Sequence, residues 1–206
     1  MNRIPRPETV CLALTGASGM PYGLRLLECL LAADCRVQLL YSPAAQIVAR
    51  QEMDLELPSR PAEARAALLA RLALPETTRL DVYGREEWFA PIASGSNPPD
   101  AMVICPCTMG TLAAIAAGLS DNLIARAADV VLKEGRKLVL VPRETPFSVI
   151  HLENMLRLAR AGAVILPPNP GFYQHPQNIG ELIDFVVARI LDQISVPHRL
   201  QARWGE

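Results

Sequence analysis

Short apolar runs and amphipathic stretches alternate along this chain. TVCLALTG (9–16) is apolar and β-branched at successive positions and stops at glycine, the pattern of a parallel strand buried on both faces. PYGLRLLECLLAA (21–33) then sets Leu24, Leu27, Leu30 and Leu31 at helical spacing, with Pro21 in the first turn, where its missing N–H costs nothing. CRVQLLYS (35–42) predicts a second strand and PAAQIVARQE (43–52) a second helix. The middle is less regular. SRPAEARAALLARLAL (59–74) reads as a helix, TRLDVYG (78–84) as an outer strand, and WFAPIASGSNPPD (88–100) as a loop, because Pro, Gly and Ser interrupt both periodicities.

Alternation then resumes. AMVICP (101–106), KLVLVP (137–142) and AVILPP (163–168) predict strands. TMGTLAAIAAGL (108–119), NLIARAADVVLKE (122–134), SVIHLENMLRLARAG (148–162) and IGELIDFVVARILDQI (179–194) predict helices between and after them. No repeat period appears. Strands without polar faces, separated by helices, predict one three-layer α/β/α domain over residues 1–206, Rossmann-like (flavodoxin-like) with a mostly parallel sheet. Residues 197–206 read as a C-terminal tail, whose Trp204 either packs on a neighbouring subunit or sits in a frayed end.

Composition narrows the class. A chain of 206 residues, half of them hydrophobic, can build one sizeable core and is not of the disordered type. A net charge of -1 exerts no long-range pull on nucleic acid or an anionic membrane, so an anionic ligand must be met by local basic groups. The apolar stretches break before membrane-spanning length, and MNRIPRPETV (1–10) has no apolar signal core. The expectation is a cytoplasmic protein with no membrane span and no nucleic-acid partner. Five cysteines at 11, 29, 35, 105 and 107 lack the spacing of a disulfide framework, and CPC is too tight for CxxC geometry, so they read as buried free thiols.

In such folds ligands bind at the carboxyl ends of strands, where helix N-termini point backbone N–H groups at anions. Four strand ends put small or hydroxylated residues beside a helix start: Gly16, Ala17 and Ser18 with Gly19; Ser42; Thr108, Met109, Gly110 and Thr111; and Arg143, Glu144 and Thr145. Alone, GASG lacks the full GxGxxG pattern, and a tight turn with a helix cap explains it as well as a phosphate cradle does. The four together point to a mononucleotide phosphate site. Arg126, Lys133 and Arg189 lie in otherwise apolar helices, where a solvated face or surface ion pair is the ordinary reading. Arg143 and Glu144 differ, because they follow directly on a buried strand at the ligand-bearing edge. LPPNPGFYQHPQN (166–178) is either a stiff proline-rich connection or an aromatic-lined lid presenting Tyr173. His151 reads as a polar contact of a helix and His175 as a loop residue. Neither metal-ligand spacing nor a GxSxG nucleophile pattern is present.

TGASGMPYGLRLLE, CPCTMGTLAAIAAGLSDNLIARAADVVLKE, LVLVPRETPFSVIHLENMLRLARAGAVILPPNPGFY and DFVVARILD together resemble the UbiX-type flavin prenyltransferases over nearly the whole chain. The resemblance implies an FMN-binding subunit of a homododecamer with sites at subunit interfaces. It implies that dimethylallyl phosphate is joined to N5 and then C6 of reduced FMN without a metal, giving a prenylated flavin for a UbiD-type decarboxylase. Carried over by motif, Gly16, Ala17, Ser18, Ser42, Thr108, Met109, Gly110, Thr111 and Arg143 would contact FMN. Arg126, Lys133, Tyr173 and Arg189 would grip the prenyl phosphate, with Ser94 and Gly95 contributing across an interface. Ser18 would stand near the reactive end of the flavin, Lys133 would bear on the leaving phosphate, and Glu52 and Glu144 would manage protons. Thr108 stands where serine is frequent in the family, which preserves the hydroxyl, and Met20-Pro21 replaces a more usual Ala-x. A flavin-dependent cysteine decarboxylase of the same fold and a non-catalytic flavin carrier are the alternatives. The former resembles a PxMNxxMW pattern, where this chain has PPNPGFY.

Overall fold

The structure, a computed structural model, describes residues 6–201 and 205, so Trp204 lies outside the described residues. The apolar runs form six strands: β1 (Thr9–Leu14), β2 (Arg36–Tyr41), β3 (Leu80–Val82), β4 (Ala101–Cys107), β5 (Lys137–Pro142) and β6 (Val164–Ile165). They pair in the order β3-β2-β1-β4-β5-β6, and every pairing is parallel. This is the doubly wound order of the Rossmann fold, and the sheet expected to be mostly parallel is parallel throughout.

Alternation along each strand divides the apolar side chains between two cores. Val10, Leu12 and Leu14 enter one core, with Val103, Val139 and Val141; Cys11 and Ala13 enter the other, with Met102, Ile104, Leu138 and Leu140. The helices α1 (Met20–Ala32), α2 (Pro43–Met53), α3 (Pro61–Arg71) and α7 (Ile179–Gln193) cover the first face. The helices α4 (Met109–Ala116), α5 (Leu123–Lys133) and α6 (Val149–Arg160) cover the second.

Side-chain caps fix where several helices begin. Ser42 caps α2, Thr108 caps α4, Asn122 caps α5 and Asn178 caps α7, each accepting first-turn N–H bonds. At α6, Ser148 accepts from His151 N and His151 Nδ1 accepts from Ser148 N, which is the helix contact expected of that histidine. The outer strands are shorter than their apolar runs. β3 keeps three residues and β6 two, since each has one neighbour and Pro167 and Pro168 have no N–H to donate. The 88–100 loop carries one 3₁₀ turn, Pro91–Ala93.

Helix α1 lies so close to the sheet that Gly23 touches it directly. A Cβ there would stand 2.5 Å from the Cys105 carbonyl oxygen and 2.6 Å from Leu14 Cδ2. Gly23→Ala is expected to destabilise the chain by about 1–3 kcal/mol, the usual cost of overpacking. A urea midpoint equal to the parent's would show that α1 is not in this close contact.

Candidate functional site

Between β1 and β4 the chain departs to opposite faces of the sheet, which opens a crevice at their carboxyl ends. A buried hydroxyl ties the two sides together. Thr15 Oγ1 donates to Pro106 O at 2.7 Å and accepts from Thr108 N at 2.8 Å. Thr108 in turn accepts from Thr111 N at 3.1 Å, and its hydroxyl lies 2.9 Å from Thr111 Oγ1. At the first two positions of α4, the N–H groups of Met109 and Gly110 have no intrahelical acceptor. A Cβ on Gly110 would meet nothing within 4 Å, so this helix start faces open space.

The other helix start at the crevice is occupied. Gly19, at φ 119°, caps α1 without a side-chain bond of its own. Glu52, reaching over from α2, accepts from Gly19 N at 3.0 Å and from Met20 N at 2.9 Å. An internal carboxylate therefore takes the place a ligand anion would occupy. Gly16 passes against Ala44 at the start of α2 too closely for any side chain. Ser42 spends its hydroxyl on Ala45 N at 3.1 Å.

Beside Ser18 a cleft of about 440 Å³ opens across the ends of β1, β5 and β6. Ser18, Gly19, Tyr22, Phe147 and the prolines 142, 146, 167 and 168 form its walls, with Arg143 and Glu144 among them. Flat rings and hydroxyl or charged groups on one edge suit a planar, polar-edged ligand. Arg143 is exposed, and Glu144 accepts from Thr145 N at 3.1 Å.

The predicted residues thus fall into separate groups. Ser18, Arg143 and Glu144 share the cleft; Gly16, Ala17, Ser42 and Thr108 to Thr111 border the same sheet edge outside its walls. Tyr173 is exposed on the loop after β6, its ring near Gly171. Ser94, Gly95, Arg126 and Lys133 form a second cluster. Arg126 Nε donates to Ala93 O at 3.0 Å, Lys133 pairs with Glu134, and Gly95 lies against both partners of that pair. Lys133 ends α5 just before β5 begins at Lys137, which puts it at the amino edge of the sheet. Arg189 pairs with Asp192 at 2.6 Å near the end of α7, on the face opposite α5. One chain does not bring Lys133, Arg189 and Arg143 together.

Thr15, Tyr22 and Phe147 were not among the predicted residues. A hydroxyl closing an apolar strand was the available signal for Thr15. Tyr22 and Phe147 had none, because wall positions follow from how α1 and the loop after β5 pack.

The cysteines are free, and four of them are buried. Burial pushes Cys29 up to about 11 and Cys107 up to about 12, and it raises Cys11, Cys35 and Cys105 as well. None is poised as a nucleophile near neutral pH.

Residues 2–191 match the Flavoprotein family model. The flavin prenyltransferase UbiX of Pseudomonas aeruginosa is 56% identical over 200 residues, covering 97% of this chain and 95% of the relative. Among solved structures, AnUbiX (PadA1) in complex with FMN and dimethylallyl pyrophosphate aligns with a TM-score of 0.85 at 39% identity, covering 98% of this chain and 99% of the other. A dodecameric FMN-dependent UbiX-like decarboxylase from Escherichia coli O157:H7 aligns with a TM-score of 0.83 at 41% identity, covering 96% and 100%. The fold and the carboxyl-edge crevice are those of a flavoprotein. Within that class, the chain belongs to the UbiX flavin prenyltransferase family.

The thiols give a direct check. A thiol with a raised pKa becomes thiolate only as pH climbs toward the raised value, so alkylation by iodoacetamide at pH 8 is expected to be slow at all five cysteines in the folded protein. In denaturant all five should react readily. Rapid labelling of Cys105 or Cys107 in the folded state, seen by mass spectrometry, would overturn their burial.

Proposed function

We propose that this chain joins the dimethylallyl group of dimethylallyl phosphate to N5 and C6 of reduced FMN, and that the product serves a UbiD-type decarboxylase. The observation that carries this reading is the cleft itself: Ser18, Arg143 and Glu144 share it, a few residues from an α4 N-terminus that faces open space. The residues present fit FMN. Thr108 and Thr111 with the first N–H groups of α4 would hold its phosphate, because the α1 start at the same crevice is taken by the chain's own Glu52 carboxylate. The proline- and aromatic-walled slot would take the ring system, and Arg143 its polar edge.

Reduced FMN, when bound, supplies the electron-rich ring that accepts the dimethylallyl group. The chain's own residues do the rest. Ser18 would hold or pass a proton at the ring's reactive end. Glu144 in the cleft and Glu52 behind the Ser18 turn are the carboxylates that would accept protons as the new ring closes. Negative charge grows on the phosphate as its carbon–oxygen bond breaks, and cationic side chains lower the energy of that change. Arg126, Lys133 and Arg189 would serve there, with Tyr173, Ser94 and Gly95.

Those cations stand apart within one chain, so the reading requires further copies, arranged as a homododecamer with sites between subunits. The apolar side chains of Phe89, Val149, Ile150, Leu152 and Leu156, all exposed, suit burial between copies. Side-chain cations at the leaving phosphate make a metal unnecessary, so EDTA should leave the rate unchanged.

Anaerobic incubation with reduced FMN and dimethylallyl phosphate is expected to give a flavin heavier by one prenyl unit, detected by mass spectrometry. Unmodified FMN as the sole flavin after prolonged incubation would sink this reading and favour a carrier or a decarboxylase. Gly110→Ala separates binding from folding. With no neighbour to strike and better helix propensity, it should keep or slightly raise stability while weakening FMN binding several-fold. Unchanged FMN affinity in that variant would move the phosphate away from α4.

A further inference from the structure

We infer that Thr15, a residue outside the cleft, positions the phosphate seat of the cofactor. The inference rests on the reading above that α4 takes the FMN phosphate. Among the described residues, Thr15 and Gln38 are the buried polar side chains, and Thr15 is 1% exposed. Its hydroxyl donates one bond and accepts another. The Thr108 N–H can only donate, so Thr15 Oγ1 accepts there and sends its own proton to Pro106 O. Thr15 N also donates to Pro106 O, at 3.2 Å, so backbone and side chain grip one carbonyl.

The consequence is a continuous relay across the crevice. It runs from Pro106 O through Thr15 to Thr108, and from Thr108 to Thr111. On one side, Thr15 immediately precedes the Gly16-Ala17-Ser18 turn. On the other, Thr108 is the residue that starts α4. Beside the backbone bond to Pro106 O, this one hydroxyl is what links the turn beside the ring slot directly to Thr108 at the helix end proposed to receive the phosphate. When two groups bind opposite ends of one ligand, a separation held in advance spares the binding energy that would otherwise go into ordering them.

Removing the hydroxyl leaves the Thr108 N–H without its acceptor, and the link from the end of β1 to the start of α4 is reduced to the backbone bond from Thr15 N to Pro106 O. Most of the ring slot's walls, Pro142 to Phe147 with Pro167 and Pro168, lie on other elements and keep their shape. The loss should therefore fall on the phosphate and spare the ring. Riboflavin, which lacks the phosphate, is the probe that separates the two. It lets a positioning role be told from general loosening, which would weaken both flavins alike.

The experiment is a flavin-fluorescence titration of the intact protein with FMN and with riboflavin, for the unaltered chain, Thr15→Val, Thr15→Ala and Thr15→Ser. The unaltered chain is expected to prefer FMN strongly. Thr15→Val should reduce that preference at least tenfold, about 1.4 kcal/mol, with riboflavin affinity within twofold of the parent. Thr15→Ser, which keeps the hydroxyl, should restore the preference. In prenylation assays the KM for FMN should rise in Thr15→Val while that for dimethylallyl phosphate stays within twofold, since no residue assigned to that phosphate bonds to Thr15. Equal loss of both flavins, or Thr15→Ser as impaired as Thr15→Val, would overturn the positioning role. So would failure of both hydroxyl-free variants to fold while Thr15→Ser folds, which would make the bond a requirement of the fold. An unaltered chain with no preference for FMN over riboflavin would instead overturn the α4 phosphate seat and the inference with it.

Discussion

All six strands run the same way, so their carboxyl ends, and the helix starts that follow most of them, gather along one edge. Backbone N–H groups left without partners at helix starts concentrate positive potential there. The molecule has to satisfy these groups from within or leave them to a ligand, and it does both. Glu52 satisfies the start of α1, and Ser42 spends its hydroxyl on α2. At α4 the first turn is shaped by Thr108 and Thr111 but opens outward beside Gly110.

The opposite edge of the sheet has a different character. There the ends of helices meet the beginnings of strands, and Lys133 with Glu134 lies against Gly95 beside the entry to β5. Both sets of residues belong to the same proposed reaction, yet the length of the strands separates them. A chemistry that needs both sets must be assembled from more than one copy, and the exposed apolar side chains on α6 and at Phe89 mark surfaces on which copies can pack.

Much of the fold was legible because the apolar runs have lengths and spacings that only a buried parallel sheet with covering helices satisfies. KLVLVP became a strand with the expected limits, and TVCLALTG became one that ends two residues early, at Leu14. The outer runs shrank, because a strand with one neighbour depends on tertiary contacts that the local pattern does not encode. The strand ends that carry the cleft were also readable, since Arg143 and Glu144 follow a buried run directly and Ser18 lies in the short turn after another. What remained hidden were the long-range partnerships. Glu52 meets Gly19 from 33 residues away, and Thr15 meets Pro106 from 91. No local periodicity signals such pairs, because they arise only once two loops are brought to one crevice by the order of the strands. The separation of Lys133 from Arg143 was hidden for the same reason.

The carboxylate of Glu52 at the start of α1 has a consequence for any ligand that is charged at one end and neutral at the other. Offered two helix starts along one crevice, an anionic tail meets repulsion at α1 and attraction at α4. The two ways of inserting such a molecule, head first or tail first, therefore differ in electrostatic energy before any van der Waals contact is made. Direction of entry is biased by a side chain that need not touch the ligand.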